Sequence, residues 1–579
     1  MQNIQNKARP PASRQARTIL LTAIVLVVVL SIVFIIKTSV QVGGQRYFLL
    51  FDDAFISMRY AENWAHGLGS VWNPGEEKIE GYTNFGWMAI MALIHQIPAP
   101  KQIYPLIVQI LGVLINSLTV LAVYRLGRSC FKTPLPSALA GLLLAFSYPW
   151  IFWGVTGMET GILTLLITIG LVRFEIMLHR KKLDFYAPLY FGIATLVRPE
   201  AILVFVALTL FMIAAERDFR QYRLIAFIGL ACIFPIVHRT WAMLFYGDIL
   251  PNTFYLKVNI PFSHRMANGI SYSLGSLLRL QVPLFIAVIG VIVQPSRRFV
   301  LLFLPFCTLF LYQILVGGDS WHRDRFLWPV MPGVLVLCFH YILDFVNNLR
   351  VSVKGRFYLL ITAIAACIFG LNATYSDEFL NSGAVYTEKQ YHENIAHGLA
   401  VKKSLDETGK TAVIWAGASP YYSERPAVDL LGKSDRVIAY QEPKKQWLPG
   451  HSKFDWQHSI EELRPDIIER ADKYLNFEKR KFRKSLERDY VRGVVEIEGE
   501  NVELWFREGS PHVNWASVNM KEPLRFDVEE EETKENGSAG ASPSRCCSQA
   551  GEEAGRARLQ PSHATHQFLS NNNFPIPFR

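Results

Sequence analysis

The uncharged run at residues 19–36, with others such as 299–316 and 357–371, constrains this chain before anything else does. Each run approaches the roughly 20 apolar residues that cross a hydrocarbon core. Backbone groups in lipid must bond within their own segment, so a chain with many such runs folds as a helical membrane bundle. A composition of 51% hydrophobic and 19% charged residues fits that class. The net charge of +10 is not a nucleic-acid signature. Lys and Arg cluster in short loops beside apolar segments, where they set orientation. Seven Cys give neither a disulfide framework nor metal spacing. Cys130, Cys232, Cys307, Cys338 and Cys367 lie in or beside apolar stretches, where a thiol acts as a small hydrophobe. Cys546 and Cys547 are neighbours in a polar tail.

Lys7, Arg9, Arg14 and Arg17 precede the first run, and Thr38-Ser39-Val40-Gln41 makes a poor cleavage site. The reading is therefore an uncleaved anchor with a cytoplasmic N-terminus. The loop 38–102 then lies outside. The apolar stretch 85–97 is short for a span, and reading it as interfacial keeps Arg125, Arg128 and Lys132 inside. Further spans near 135–154, 160–178, 185–197, 200–215, 224–245, 281–295, 299–316, 326–347 and 357–373 bring the total to about eleven. Arg180, Lys181, Lys182, Arg217, Arg220, Arg223, Arg297, Arg298, Arg350, Lys354 and Arg356 then fall inside. Arg173 and Glu175, near an inner helix end, snorkel to the interface.

The expected organisation is a basic cytoplasmic segment (1–17), a transmembrane module (18–373), an extracytoplasmic domain (374–525) and a disordered tail (526–579). Residues 411–416 read as a buried strand, 393–405 as a helix and 494–506 as alternating strands, so the domain is α/β or α+β. The tail is rich in Glu, Ser and Gly without apolar periodicity.

On this topology the polar motifs collect on the outer side. They are Asp52-Asp53, Gly157-Met158-Glu159-Thr160, Arg198-Pro199-Glu200, Tyr246-Gly247-Asp248, residues 251–257 and residues 317–325. Carboxylates beside cations at a membrane surface suit a lipid-phosphate substrate. Arg or Lys holds the phosphate, and a carboxylate takes a proton from an attacking hydroxyl. Each residue also has a plainer reading. Asp53 serves equally as the N-cap of an amphipathic helix ending near Gly67. Successive helical positions diverge by about 100°, so Asp52 and Asp53 are not expected to share a job. Glu159 fits a first-turn acid, Arg198 a partner for Glu200, Lys257 an interfacial anchor, and Asp319 with Arg325 a loop salt bridge. His322 reads as a polar loop residue, with no second His or Cys at metal spacing.

At these residues the chain resembles GT-C type glycosyltransferases. It is similar to the bacterial branch that includes the mycobacterial terminal arabinofuranosyltransferase. The resemblance runs through residues 51–60, 67–75 and 80–84, then the motifs above, and ends with Asp429-Leu430-Leu431-Gly432, Asp435 and Pro449-Gly450-His451. It implies a multi-helix membrane module with an acidic motif in the first outer loop. It also implies a polyprenyl-phosphate sugar donor and an envelope glycan, lipid or protein acceptor, used at the outer face of the bacterial inner membrane. By that resemblance Asp52 is the leading base and Asp53 the second. Arg198, Lys257 and Arg325 contact the donor phosphate, while Glu159, Glu200, Tyr82, Asn84, Asn252, Asp319 and His451 line the cleft. Residues 320–324 depart from the Asp-Trp-Met type sequence of relatives, and the tail matches nothing in the family. No cofactor is implied, and a divalent metal stays open. The competing readings are a lipid-linked glycan transporter or flippase and a non-catalytic assembly subunit. A transporter often carries repeated halves with charges near the midplane, whereas this sequence has no visible repeat.

Overall fold

The computed structural model describes residues 14–131, 133–216, 222–321, 323–376, 384–444, 449–471 and 486–521. Lys7, Arg9, Lys132, Arg217, Arg220, His322, Cys546, Cys547 and the tail 526–579 lie outside the described residues.

The chain opens with α1 (Arg14–Thr38), the hairpin β1 (Val40–Val42) and β2 (Gln45–Tyr47), then α2 (Asp52–Ala65) and α3 (Phe85–His95). Next come α4 (Tyr104–Cys130), α5 (Leu135–Ala145), α6 (Tyr148–Val155), α7 (Thr160–Arg180), α8 (Tyr186–Val197) and α9 (Ala201–Ala215). They are followed by α10 (Arg223–Tyr246), α11 (Asn252–Val258), α12 (Phe262–Arg279), α13 (Gln281–Val293), α14 (Arg297–Leu315), α15 (Met331–Asn348) and α16 (Val353–Asn372). Among the described residues, seven helices are long and apolar enough to span, and two bent pairs add two more if each pair is one span. α8 and α9, at 12 and 15 residues, are shorter than a span, unlike the crossings expected there. α3 has 11 residues and is likewise too short.

The expected straight span at 135–154 is broken. α5 and α6 meet at 69°. Pro149, in the first turn of α6, has no amide to bond Ala145 and so cannot continue α5. Asn372 of α16 repairs the break: its Nδ2 donates to the Phe146 carbonyl and its Oδ1 accepts from the Tyr148 amide, both at 2.8 Å. A second bend, of 91°, separates α12 from α13 at Leu280, again just before a proline, Pro283. Glu175 does not snorkel. It is fully buried and pairs with Arg298 at 3.4 Å. Arg173 pairs with Asp184 at 3.5 Å and stacks over Tyr186.

The C-terminal part is an α/β domain built on a six-stranded mixed sheet, in the order β4-β3-β5-β7-β6-β8. Helix α17 (Ala384–Ser404) precedes β3 (Thr411–Val413), α18 (Ala418–Ser423), β4 (Ala427–Asp429) and α19 (Arg436–Tyr440). β5 (Ile467–Ile468), β6 (Tyr490–Ile497), β7 (Glu500–Arg507) and β8 (Asn519–Met520) follow. β3 pairs in parallel with β4 and β5, while the long β6–β7 hairpin is antiparallel. The strand expected over 411–416 stops at Val413, where the chain turns to bring Gly417 against α2.

That contact joins the two parts. Arg59 of α2 is buried and donates to Trp72 O at 2.7 Å, Arg425 O at 2.7 Å and Pro420 O. Phe55 packs on Tyr421 and Tyr422. Asn73 bonds both the amide and the carbonyl of Ala427, acting as a short extra edge to β4. One buried apolar cluster runs from α1 through the bundle into the C-terminal sheet. Burying apolar area at roughly 25 cal/mol per Å² makes such a continuous core hard to split.

Candidate active site

α2 begins on the acidic pair itself. Its N-cap is Phe51, whose amide donates to Thr156 O at 2.8 Å and whose ring packs on Trp153 and Trp321. Asp53 is therefore not the N-cap but a first-turn residue, as is Asp52. Negative charge there is favoured by the helix dipole. One position apart on a helix, the two carboxylates point to different neighbours.

Asp52 is 5% exposed and committed to the C-terminal domain. Its Oδ1 accepts from Asn394 Nδ2 at 3.1 Å and the Ala418 amide at 3.0 Å, and its Oδ2 accepts from the Gly417 amide at 3.2 Å. A side chain at Gly417 would put its Cβ 2.0 Å from the Asp52 carbonyl oxygen, so only glycine permits this approach. Burial pushes the Asp52 carboxyl up, against the pull of the Ala418 amide and Lys433.

Asp53 faces cations. Lys433 Nζ lies 2.5 Å from its Oδ1, and Arg325 lies 3.9 Å from its Oδ2. Burial raises its pKa, but Lys433, Arg325 and Lys257 together hold it well below the usual carboxylate range. Lys433 is held above its own usual value despite burial, chiefly by Asp53. Arg325 makes a two-point ion pair with Asp319, at 2.7 and 2.9 Å. Lys257, on α11, has no hydrogen-bond or ion-pair partner among the described residues. Burial and the neighbouring Arg325 push its ammonium down to about 8. His451 completes the group: its Nδ1 meets Pro449 O at 3.1 Å, and burial together with Lys433 pushes it down to about 4, so it is neutral at pH 7. Three cations therefore converge on Asp53 and Asp319, with Asp52 and Asp429 also acting on Lys433.

The expected site residues fall into separate groups. Asp53, Lys257, Arg325, Asp319 and His451 are electrostatically coupled in the cluster above. Arg198 belongs to a neighbouring network, donating to Glu200 at 2.8 Å, Glu159 at 3.1 Å and Thr83 at 3.2 Å. Glu159 is the N-cap position of α7, not a first-turn acid, and takes a further bond from Asn84 at 2.9 Å. Tyr82 lies in a tyrosine cluster, 3.0 Å from both Ser70 Oγ and the Tyr246 hydroxyl. Asn252 is a staple: its Nδ2 donates to the carbonyls of Gly432, Lys433 and Asp435.

Sequence reasoning missed Lys433. It lies between Gly432 and Asp435, both singled out, but its partner Asp53 is 380 positions away. The fold builds its position locally. Asp429 accepts from the Leu431 and Ser434 amides, and Gly432 takes φ +78°, so the loop turns tightly around the carboxylate. Burial pushes Asp429 up to about 6. Among the described residues no group of three or more His, Cys, Asp or Glu is arranged to hold a metal.

The family model described as dolichyl-phosphate-mannose-protein mannosyltransferase matches residues 88–241. One described as a domain of unknown function matches residues 383–510. No curated protein matches the chain in sequence. Among solved structures, the chain is similar to ArnT from Cupriavidus metallidurans bound to undecaprenyl phosphate. Identity is 10% and the TM-score 0.55, over 84% of this chain and 98% of that one. The same protein in the apo state gives 12% identity and a TM-score of 0.51, over 85% and 98%. The apo oligosaccharyltransferase from Archaeoglobus fulgidus gives 10% and 0.51, over 85% and 74%. At 10–12% identity the likeness to these structures is one of fold: a multi-helix bundle whose described residues include seven helices long and apolar enough to cross a membrane.

Proposed function

We propose that this chain transfers a sugar from a polyprenyl-phosphate donor to a cell-envelope glycan, glycolipid or glycoprotein acceptor on the extracytoplasmic side of the bacterial inner membrane. The observation that carries this reading is the cluster of Lys257, Lys433 and Arg325 around Asp53. Its three convergent cations, with Lys257 unpartnered among the described residues, suit the phosphate diester of a lipid-linked sugar and the monoester it leaves as. ArnT, similar in fold, binds undecaprenyl phosphate.

In this scheme the donor phosphate sits on Lys257, Lys433 and Arg325. The acceptor oxygen forms a bond to the anomeric carbon as the bond from that carbon to the phosphate oxygen breaks. The phosphate leaves with the electron pair, and its new charge is held by the three cations. The acceptor proton passes to a carboxylate. Asp53 suits that role better than Asp52, reversing the order the resemblance implies, because both Asp52 oxygens already accept bonds from the C-terminal domain. At rest Asp53 is a weak base because Lys433 and its neighbours depress it. A bound phosphate competes for those cations and thereby raises the proton affinity of Asp53 when the acceptor needs it. Arg198, Glu159 and Glu200 shape the adjoining wall.

The test is complementation of a deletion strain, with the envelope glycan compared by mass and linkage analysis. Asp53→Asn is expected to insert and fold yet leave the glycan of the deletion strain. Complete glycan from Asp53→Asn removes Asp53 as base, and an unchanged glycan in the deletion strain itself removes the reading.

A further inference from the structure

Arg325 reaches the cluster on a loop that is anchored from outside it. α12 lies at 91° to α13 and presents Phe262, Ile270, Leu274 and Leu278 outward. Its buried side is a row of small residues. Gly269 lies against Ile314 O, and Ser273 and Ser276 accept from Gln313 Nε2 of α14 at 3.0 and 3.1 Å. This is an amphipathic helix packed on a span, with an apolar stripe fit for the lipid boundary.

A third side of α12 grips the loop. Arg279 makes a two-point bond with Asp324, from Nε at 2.8 Å and from a terminal nitrogen at 2.7 Å. Tyr272 donates its hydroxyl to Trp321 O at 2.6 Å. Gly318, at φ +82°, is pressed so closely on Tyr272 that an added Cβ would lie 2.7 Å from the tyrosine Cβ. Asp324 itself sits in the left-handed region at φ +49°, a conformation a non-glycine residue holds only when its surroundings enforce it. The residue next to this strained, clamped position is Arg325.

We propose that Arg279, with Tyr272, is a positioning residue for Arg325: α12 holds Asp324 in its left-handed turn and so aims the Arg325 guanidinium at Asp53 and the donor phosphate. The inference rests on the phosphate reading of the cluster. Arg279 is bonded to Asp324 and Tyr272 to Trp321, so each acts on Arg325 through the loop that carries it. The apolar stripe of α12 is exposed while its other sides meet α14 and this loop, so on this proposal a helix suited to the lipid boundary sets the aim of Arg325.

The experiment titrates undecaprenyl phosphate into the full chain in nanodiscs and measures its affinity alongside the unfolding temperature. Arg325→Gln is expected to weaken binding about tenfold or more, as loss of a charged phosphate contact does. Arg279→Leu is expected to lose a similar factor and, because it leaves buried Asp324 without its two-point partner, to lower the unfolding temperature as well. Arg279→Lys, which keeps the charge and one bond to Asp324, is expected to recover most of the loss. The double variant Arg279→Leu with Arg325→Gln should bind no more weakly than Arg325→Gln alone, since the two act as one unit. Full affinity in Arg279→Leu beside a loss in Arg325→Gln overturns the positioning role and leaves the phosphate reading standing. Full affinity in Arg325→Gln overturns the phosphate reading and this inference with it. Equal losses in the Leu and Lys variants, together with a fall in unfolding temperature, mark Arg279 as packing only and overturn the inference. If Arg279→Leu does not fold, Tyr272→Phe carries the test, expected to weaken affinity without shifting unfolding while Arg279→Lys stays near wild type; wild-type affinity in Tyr272→Phe then overturns the inference.

Discussion

The two faces of the helical module carry charges of different kinds. On the face that meets the C-terminal domain, charged side chains are sunk and interlocked: Arg325 and Asp319 are 5% and 2% exposed, Arg198 and Glu159 13% and 3%. On the opposite face, Lys181 and Arg297 share Glu216 while 55% and 60% exposed. Exposed pairs contribute little to stability, and cations flanking apolar helices are common in membrane proteins whatever they do. Buried ones cost several kcal/mol per ion unless closely compensated. Glu175, fully buried beside Arg298, is the exception on that opposite face; elsewhere the costly arrangement gathers at the face where charge has work to do.

Five outcomes sharpen or break the contrast. The largest effect belongs to Asp53→Asn, which is expected to lower the transfer rate about 10³-fold, within the range for a general base. Asp52→Asn should cost far less in rate and should instead loosen the C-terminal domain to protease. Asp319→Asn comes next, because it strips buried Arg325 of its partner, and is expected to cost about 3 kcal/mol in thermal unfolding. Lys257→Met should weaken undecaprenyl phosphate binding by about tenfold while leaving unfolding unchanged. The smallest effect is that of Arg297→Gln, expected to stay within about 0.5 kcal/mol of wild type and to leave transfer intact. A large loss of transfer there would erase the distinction between the faces.

Much of this was legible in the sequence because its cause is local. Uncharged runs announce spans, and Asp52-Asp53 after the first run announces an acidic pair beyond it, which the fold places in the first turn of α2. Alternation over 494–506 announces the β6–β7 hairpin. What escaped depends on partners far along the chain. Lys433 gains meaning only when the C-terminal sheet sets its loop over α2. Asp52 reads as the better base until Gly417, Ala418 and Asn394 arrive to occupy it. The break at Pro149 was visible as a residue, but its tolerance rests on Asn372, which supplies the missing bonds from another helix. α8 and α9 read as spans by composition, yet Arg198-Pro199-Glu200 between them is drawn into the Glu159 and Thr83 network.

The claim that Lys257, with Lys433 and Arg325, forms a phosphate site is tested most directly by the affinity for undecaprenyl phosphate between pH 7 and 10. Lys257 is depressed to about 8 at rest, so it is charged below that pH and loses its proton above it. The wild type should bind evenly up to about pH 8 and then weaken toward a level about tenfold lower, the loss that Lys257→Met shows, while Lys257→Met binds weakly throughout and shows no such fall. A wild-type affinity that stays level through pH 10, or an identical fall in Lys257→Met, contradicts the account.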